Sequence, residues 1–277
     1  MTYREALRKG TECLRDAGIS EAENDAWLLL EYVTGMNRAH YFLEQSECLT
    51  KEQQTTYEAL LRKRAGRIPL QHITGVQSFM GLEFSVNEHV LTPRQDTELL
   101  VETALARIGD GMSVLDLCTG SGCIAISMER LSQKKLQVYA ADISKKALET
   151  AKENADQLGA QVFFYQSDLM ESIPGQFDMI VSNPPYIATA EIAQLMPEVR
   201  EHEPVGALDG HEDGLYFYRE IIAQAEKKLK SQGMLLFEIG YDQGAAVSEL
   251  MVQSGYQKVE IKKDYAGLDR VVLGYKV

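Results

Sequence analysis

The stretch Phe177-Asp178-Met179-Ile180-Val181-Ser182, followed at once by Asn183-Pro184-Pro185-Tyr186, constrains the fold more than any other part of the chain. The first six residues are apolar and β-branched at their centre, the pattern of a strand buried on both faces of a parallel sheet. Two prolines then stop the ladder, because neither has an N–H to donate. Asn183 precedes a proline, which steers its backbone toward the extended region. The product is a stiff corner at the carboxyl end of a strand, where open α/β sheets place their ligands. On it stand a side-chain amide, backbone carbonyls committed to no helix or sheet, and an aromatic ring. Such a corner can accept hydrogen bonds from an –NH2 group while the ring packs against its plane. The plain alternative is that Pro-Pro merely ends the strand and Tyr186 packs locally.

Around that corner the chain alternates strand and helix, which predicts an α/β fold with a largely parallel sheet and helices on both faces. Strands are expected at 113–117, 137–141, 161–165, 177–182, 233–239, 256–262 and 269–275. No helix-length segment separates the last two, so one of them should run antiparallel. The N-terminal part reads differently. Thr2 and Glu5 make a capping box for a helix to Ala17, with Ala6, Leu7, Leu14 and Ala17 on one face. Ser20 and Glu23 repeat that spacing for a second helix ending at Gly35. Asn37 can cap a third through Gln45, and Thr50 with Gln53 opens a fourth to about Ala65. Trp27, Tyr41 and Phe42 are expected in the core of this small bundle. From Arg67 to Gly75 no helical period is present. Val76 to Phe79 and Leu82 to Val86 then flank Met80-Gly81 as a β-hairpin, and a helix should follow Pro93 as far as Ile108. The division expected is 1–75 helical, 76–92 a hairpin linker, and 93–277 the α/β domain.

Val114-Leu115-Asp116-Leu117-Cys118-Thr119-Gly120-Ser121-Gly122 is a strand running into a tight glycine turn that opens a helix. Small residues let the backbone approach a ligand, and the helix N-terminus offers free N–H groups. By itself that is a weak signal, since any tight βα turn needs glycine. Asp142 strengthens it, ending the second strand roughly 20 residues further on, where an acceptor-only carboxylate can hold both hydroxyls of a ribose. Asp168-Leu169 follows the third strand. Asp168 can accept from an adenine amino group while the Leu169 backbone meets the ring edge, or it can simply cap a turn. Glycine turn, Asp142, Asp168 and Asn183 follow the first four strands in order, at one edge of the sheet.

Composition narrows the field. The formal net charge is −13 and the pI about 4.9, unlike proteins that track phosphate backbones with a basic face, and compatible with a basic protein partner. No apolar run reaches the roughly 18 residues of a membrane span, and no basic-then-apolar stretch opens the sequence. Cys13, Cys48, Cys118 and Cys123 form no Cys-x-x-Cys pair, and the histidines (His40, His72, His89, His202, His211) lie apart. Neither a disulfide framework nor a metal is expected, and a reducing cytoplasm fits. Lys227-Lys228-x-Lys230 reads as a solvated helix terminus.

The chain resembles the class I S-adenosylmethionine-dependent methyltransferases, a Rossmann-like fold with a seven-stranded, mostly parallel sheet. Within them it is similar to the HemK/PrmC family of protein-(glutamine-N5) methyltransferases that act on bacterial class I peptide chain release factors. The resemblance spans essentially the whole chain. It rests on the helical N-terminal part, Arg67-x-Pro69…Ile73-x-Gly75, Pro93-Arg94-x-Asp96-Thr97-Glu98, the glycine turn and Asn183-Pro184-Pro185-Tyr186. Glu203-Pro204, Ala207-Leu208-Asp209-Gly210, Asp213-Gly214-Leu215 and Asp264-Tyr265-Ala266-Gly267-Leu268-Asp269-Arg270 agree with it. Two residues depart from the pattern. Cys118 stands where the family has glycine, so a φ below zero is expected there, and His211 replaces another glycine.

The resemblance implies S-adenosyl-L-methionine as methyl donor, with S-adenosyl-L-homocysteine as product and no metal. Cys118, Thr119, Gly120, Ser121, Gly122, Asp142, Asp168, Leu169 and Asn183 would bind it. Asn183 would be catalytic, and Asn183, Pro184, Pro185, Tyr186, Leu91 and Thr97 would meet the substrate. The substrate implied is the glutamine of the GGQ motif of a release factor, whose methylation supports translation termination. The helical domain would dock that protein, and a cytoplasmic monomer is expected. The same Asn-Pro-Pro-Tyr corner also serves transfer to the exocyclic amino group of a nucleic-acid base. The acidic chain and the absence of a basic recognition module weigh against that alternative.

Overall fold

In a computed structural model describing Met1–Val277, the chain forms two compact units. The first comprises Met1–Gly75 together with Met196–His202, and the second Val76–Leu195 with Glu203–Val277.

The first unit is helical: α1 (Tyr3–Asp16), α2 (Ala22–Thr34), α3 (Arg38–Glu44), α4 (Lys51–Ala65) and the single turn α5 (Leu70–Thr74). Capping boxes form at Thr2/Glu5 and Thr50/Gln53, and Asn37 Oδ1 accepts from His40 N. Ser20 and Glu23 do not form one. Helix α2 starts from Glu21 with no side-chain cap. Helix α5 was not legible because one turn is too short for a hydrophobic period; Pro69 at its N-cap and left-handed Gly75 at its C-cap delimit it. Trp27 and Tyr41 are buried among Leu14, Leu29, Leu30 and Tyr57, whereas Phe42 is 64% exposed on the outer face of α3. The segment Met196–His202 carries a further short helix, α9 (Pro197–His202), into this unit. There Arg64 Nε meets Asp25 Oδ2 at 2.7 Å, and Arg64 Nη1 and Arg67 Nη1 each meet Glu198 Oε1 at 3.1 Å. Burial would raise the Glu198 carboxyl, but its own backbone, Arg67 and Arg64 hold it below the usual range.

The second unit begins with the hairpin β1 (Val76–Phe79) and β2 (Leu82–Ser85), joined by Met80 and Gly81, both at positive φ as a two-residue type I′ turn requires. The hairpin is built into this unit. Phe79 and Phe84 are fully buried against Leu100 and Val101 of α6 (Gln95–Leu105), and Met80 N donates to Glu98 Oε1 at 2.7 Å. There follow β3 (Ser113–Leu117), α7 (Cys123–Leu131), β4 (Gln137–Asp142), α8 (Lys145–Leu158), β5 (Val162–Gln166) and β6 (Phe177–Ser182). Beyond α9 come α10 (Tyr216–Lys228), β7 (Leu229–Glu238), α11 (Gly244–Gln253), β8 (Gln257–Lys263) and β9 (Asp269–Tyr275).

The seven-stranded sheet has the order β5-β4-β3-β6-β7-β9-β8. All pairings through β7 are parallel, and β9 is the antiparallel strand between β7 and β8. Chain order runs outward from β3 through β4 to β5 on one side and from β6 to β7 on the other, so the topological switch point lies between β3 and β6. Strand β7 begins at Leu229, earlier than its apolar run suggests. Lys230 therefore belongs to a strand, and its Nζ pairs with Asp178 Oδ2 at 2.7 Å.

Removing the Arg64 guanidinium leaves the buried Asp25 without its ion-pair partner and strips one of two cations from Glu198. Breaking a buried pair typically costs about 3–5 kcal/mol. Arg64→Met is therefore expected to destabilise the helical unit by that order, read as an earlier first transition in urea. A loss within about 1 kcal/mol would reduce the cluster to the value of a surface ion pair.

Candidate active site

The strand registers assemble the site. Leu117 lies opposite both Ala141 and Ser182, and Asp142 lies opposite Gln166. Residues just past those positions emerge side by side along one sheet edge. Cys118, Gly120, Asp142, Asp168, Leu169, Asn183 and Pro185, with Leu91 and Phe217, line a cleft of about 350 Å³. Thr119, Ser121, Gly122, Pro184, Tyr186 and Thr97 stand outside its wall, and several of them shape it from behind.

Cys118 does not take a negative φ. Its φ is +59°, followed by +56° at Gly120 and +82° at Gly122. The turn is fixed from outside: Thr119 N donates to Ala141 O on the neighbouring strand at 3.0 Å, and Gly122 N to Thr119 O at 2.8 Å. A residue with a Cβ in this conformation costs about 1–2 kcal/mol. The side chain offsets part of that by packing on the core beneath the sheet edge. Burial pushes its thiol up, so it is a neutral packing group. Below the turn, Asp116 accepts from Thr119 Oγ1 at 2.6 Å and from Ala125 N at 3.1 Å. Burial raises its carboxyl to about 7 against those two bonds.

Asp142 Oδ2 accepts from Gly120 N at 2.9 Å and Oδ1 from Ser144 N at 2.8 Å. Each oxygen keeps a further lone pair, so the carboxylate can both shape the turn and accept from two hydroxyls. Burial raises its pKa, and the N–H groups of Ser144, Gly120 and Ile143 oppose that rise. Asp168 is exposed in the cleft wall, and the buried Leu169 beside it takes a φ of +42°.

Five hydrogen bonds clamp the Asn183 corner. Ser182 Oγ donates to Leu117 O at 2.8 Å and pins the strand end. Asn183 Nδ2 donates to Thr97 Oγ1 at 3.3 Å, which leaves Oδ1 as the amide's acceptor for the cleft. Gln243 Nε2 donates to the Tyr186 carbonyl at 2.9 Å. Ile187 N donates to Leu208 O at 3.0 Å and Gly210 N to Ile187 O at 2.8 Å. The last pair explains two sequence segments. A Cβ at Gly210 would stand 2.8 Å from Tyr186 Cα, and one at Gly214 would collide with the Tyr186 carbonyl. His211, at φ +66°, stacks edge-on to Tyr216 at 4.3 Å. Arg94 Nη2 reaches both carboxylate oxygens of the buried Glu203 at 2.8 Å, which joins two more segments distant in sequence.

Glu238 and Gln243 were not picked out from the sequence, and Arg270 only as part of a segment carrying the resemblance. Glu238 is 1% exposed, beside Thr97 and Asn183. Burial pushes its carboxyl to about 7, and Thr97, Arg270 and Asn183 draw it down. A charged residue closing the apolar run Met234-Leu235-Leu236-Phe237 was the available signal. Gln243 left none, because its role is set by a carbonyl distant in sequence.

Residues 5–75 match the PrmC N-terminal domain family, and residues 94–199 match the methyltransferase small domain. The chain is 39% identical to the release factor glutamine methyltransferase of Geobacter sulfurreducens over 274 residues, covering 99% of this chain and 96% of that one. It is 40% identical to the protein of the same name from Bacillus subtilis over 281 residues, covering 98% and 96%. A methyltransferase from Pyrococcus furiosus of known structure, 18% identical, superposes with a TM-score of 0.56 over 77% of this chain and 98% of that one.

If Asp142 holds ribose hydroxyls, Asp142→Ala removes charge-assisted bonds worth about 1.5–3 kcal/mol each. Affinity for S-adenosyl-L-methionine should fall at least about tenfold by titration calorimetry, with the circular dichroism spectrum retained. Unchanged affinity would leave Asp142 a turn-shaping residue alone.

Proposed function

The chain belongs to the family of release factor glutamine methyltransferases, and from that membership we propose that it methylates the side-chain amide nitrogen of the GGQ glutamine in class I release factors. The observation that carries the reading is the Asn183 amide, tied back by its Nδ2 to Thr97 at the lip of the cleft. The relatives' names favour a release factor over a nucleic-acid base.

The cleft fits S-adenosyl-L-methionine. A Cβ at Gly120 would meet nothing within 4 Å, so the turn leaves open space at the cleft wall. Asp142 keeps acceptor capacity for the ribose, and Asp168-Leu169 stands where an adenine edge would be met. When bound, S-adenosyl-L-methionine supplies a sulfonium methyl group. The chain's own residues must make a poor nucleophile attack it. An amide nitrogen is unreactive because its lone pair is delocalised into the carbonyl. Asn183 Oδ1 and the Pro184 carbonyl each accept one N–H of the substrate glutamine and hold the nitrogen pyramidal, with its lone pair free. Pro185 lines the cleft beside them, and Tyr186 closes the corner behind. The contribution is positioning and electrostatics, and no strong base acts before attack. Leu91, in the loop leaving the hairpin, lines the same cleft and would flank the substrate.

No helix is long and apolar enough to cross a membrane. The reading places the enzyme in the cytoplasm as a monomer that needs no metal. The helical unit would dock the release factor and present its glutamine, supplying binding energy remote from the chemistry.

Two experiments test these assignments. Asn183→Ala should leave cofactor binding intact while transfer to purified release factor falls about 10²–10³-fold, the cost of one preorganised contact. Methylation within a factor of a few of wild type would remove Asn183 from the mechanism. The second compares full-length protein with a chain beginning at Val76. A cut nearer Val90 would strip Phe79 and Phe84 from the core of the second unit. Once circular dichroism shows the shorter chain folded, it should lose methylation of intact release factor but much less of a short glutamine-containing peptide. Equal fractional losses would mean that the helical unit only stabilises the fold.

A further inference from the structure

Glu238 closes β7 at the same sheet edge as Asn183 and is buried. Its carboxylate faces the Thr97 hydroxyl and the Asn183 side chain, and Oε2 has no hydrogen-bond partner. The other titratable groups around it are Arg270 of β9, Asp96 of α6, Tyr186 of the corner, Tyr218 of α10 and Cys123 of α7. Arg270 is the cation among them, and it is engaged by Asp96 at 3.2 Å and Asp264 at 3.1 Å. A buried carboxyl with an unpartnered oxygen is a cost to the fold. An apolar residue would finish this strand at lower cost.

We propose that Glu238 is a positioning residue for methyl transfer, its ionised carboxylate holding Thr97 and the Asn183 NH2 group to one side so that Oδ1 alone is presented to the substrate amide. The inference rests on the reading of the Asn183 corner as the site of transfer. Its logic is the direction of the hydrogen bonds. An ionised carboxylate only accepts, so beside Thr97 it favours the orientation in which the hydroxyl points toward Glu238 and keeps its own oxygen free to accept from Asn183 Nδ2. A protonated Glu238 is a donor. It can turn the Thr97 hydroxyl around, and the Asn183 amide then loses the acceptors that select its orientation. A flipped Asn183 would offer N–H groups to a substrate that itself offers N–H. Transfer slows because one of the two acceptors for the substrate amide is lost, while the cofactor loop is untouched. Burial sets this carboxyl at about 7, with Thr97, Arg270, Asp96 and Asn183 adjusting it, so the change falls in the neutral range.

The test assays wild type, Glu238→Gln and Glu238→Leu as full-length chains, on purified release factor at saturating S-adenosyl-L-methionine, across the neutral pH range. Wild-type kcat should rise with pH through a limb near pH 7. The near-isosteric Glu238→Gln should lose that limb, and its kcat at the plateau should drop roughly tenfold, because Gln can still offer one acceptor. Glu238→Leu should drop roughly 100-fold, the scale of a small misplacement of a reacting group. In both variants KM for the release factor and Kd for S-adenosyl-L-methionine should stay within about twofold of wild type. A wild-type limb preserved in Glu238→Gln overturns the inference, and so does a loss carried by KM or cofactor affinity. If Glu238→Leu does not fold, the pH profile of Glu238→Gln decides alone. A wild type that binds S-adenosyl-L-methionine but does not methylate the release factor would instead sink the underlying reading and this inference with it.

Discussion

The parallel pairing of β4, β3 and β6 in register is the constraint on which everything at the cleft depends. Because Leu117 faces Ala141 on one side and Ser182 on the other, β3 and β6 end level and β4 runs one residue further, to Asp142. The next residue on each is delivered to one line with no further adjustment. One-residue slippage in any pairing would turn that strand's side chains to the opposite face of the sheet. Two bonds reinforce the register at its end: Ser182 Oγ to Leu117 O, and Thr119 N to Ala141 O. Both close the sheet at the point where the chain leaves it. The site is therefore an extension of the sheet rather than a set of loops laid over it.

That rigidity is obtained with backbone strain. Cys118, Leu169 and His211 all carry side chains at positive φ, and all three sit at or beside the cleft and its corner. Each conformation is held by packing and hydrogen bonds from other elements, which is the condition for strain to persist at a functional site. Gly210 and Gly214 do the complementary work. They let a second loop lie on the Tyr186 backbone at a distance no Cβ would permit. The Asn-Pro-Pro-Tyr corner is thus fixed by its own prolines, from below by Gln243, and from outside by that loop.

Asp116, Asp142 and Glu238 share this edge, and burial raises the carboxyl pKa of all three. Buried acceptors around a cleft suit a donor that carries a positive sulfonium, because a cation nearby favours their ionised forms. The same burial ties the fold to pH. For Asp116 and Glu238 the folded-state value, about 7, lies above the unfolded one, so the protonated form favours folding. Their contribution is full below the unfolded carboxylate range and is lost as pH rises through about 7. Stability thus favours the neutral forms of these two carboxyls.

The sequence by itself determined what local pattern can carry. Alternating apolar runs and helix signals specified the sheet and its helices, two capping boxes located α1 and α4, and Pro184-Pro185 after a buried strand specified the corner. Residue types at strand ends were enough to single out Gly120, Asp142, Asp168 and Asn183, because a strand end is a local property. Tertiary structure decided what depends on groups meeting from afar. Asn183 finds Thr97 across 86 residues, Arg94 finds Glu203 across 109, and Gln243 finds Tyr186 across 57. The left-handed turn at Cys118 belongs to the same class, since the bond that imposes it comes from β4 and no property of cysteine asks for it. So does Glu238, which in sequence is only the last residue of a strand. Packed beside Asn183 it is a buried acceptor, because a side chain's role in a low-dielectric interior is set by the partners the fold brings to it.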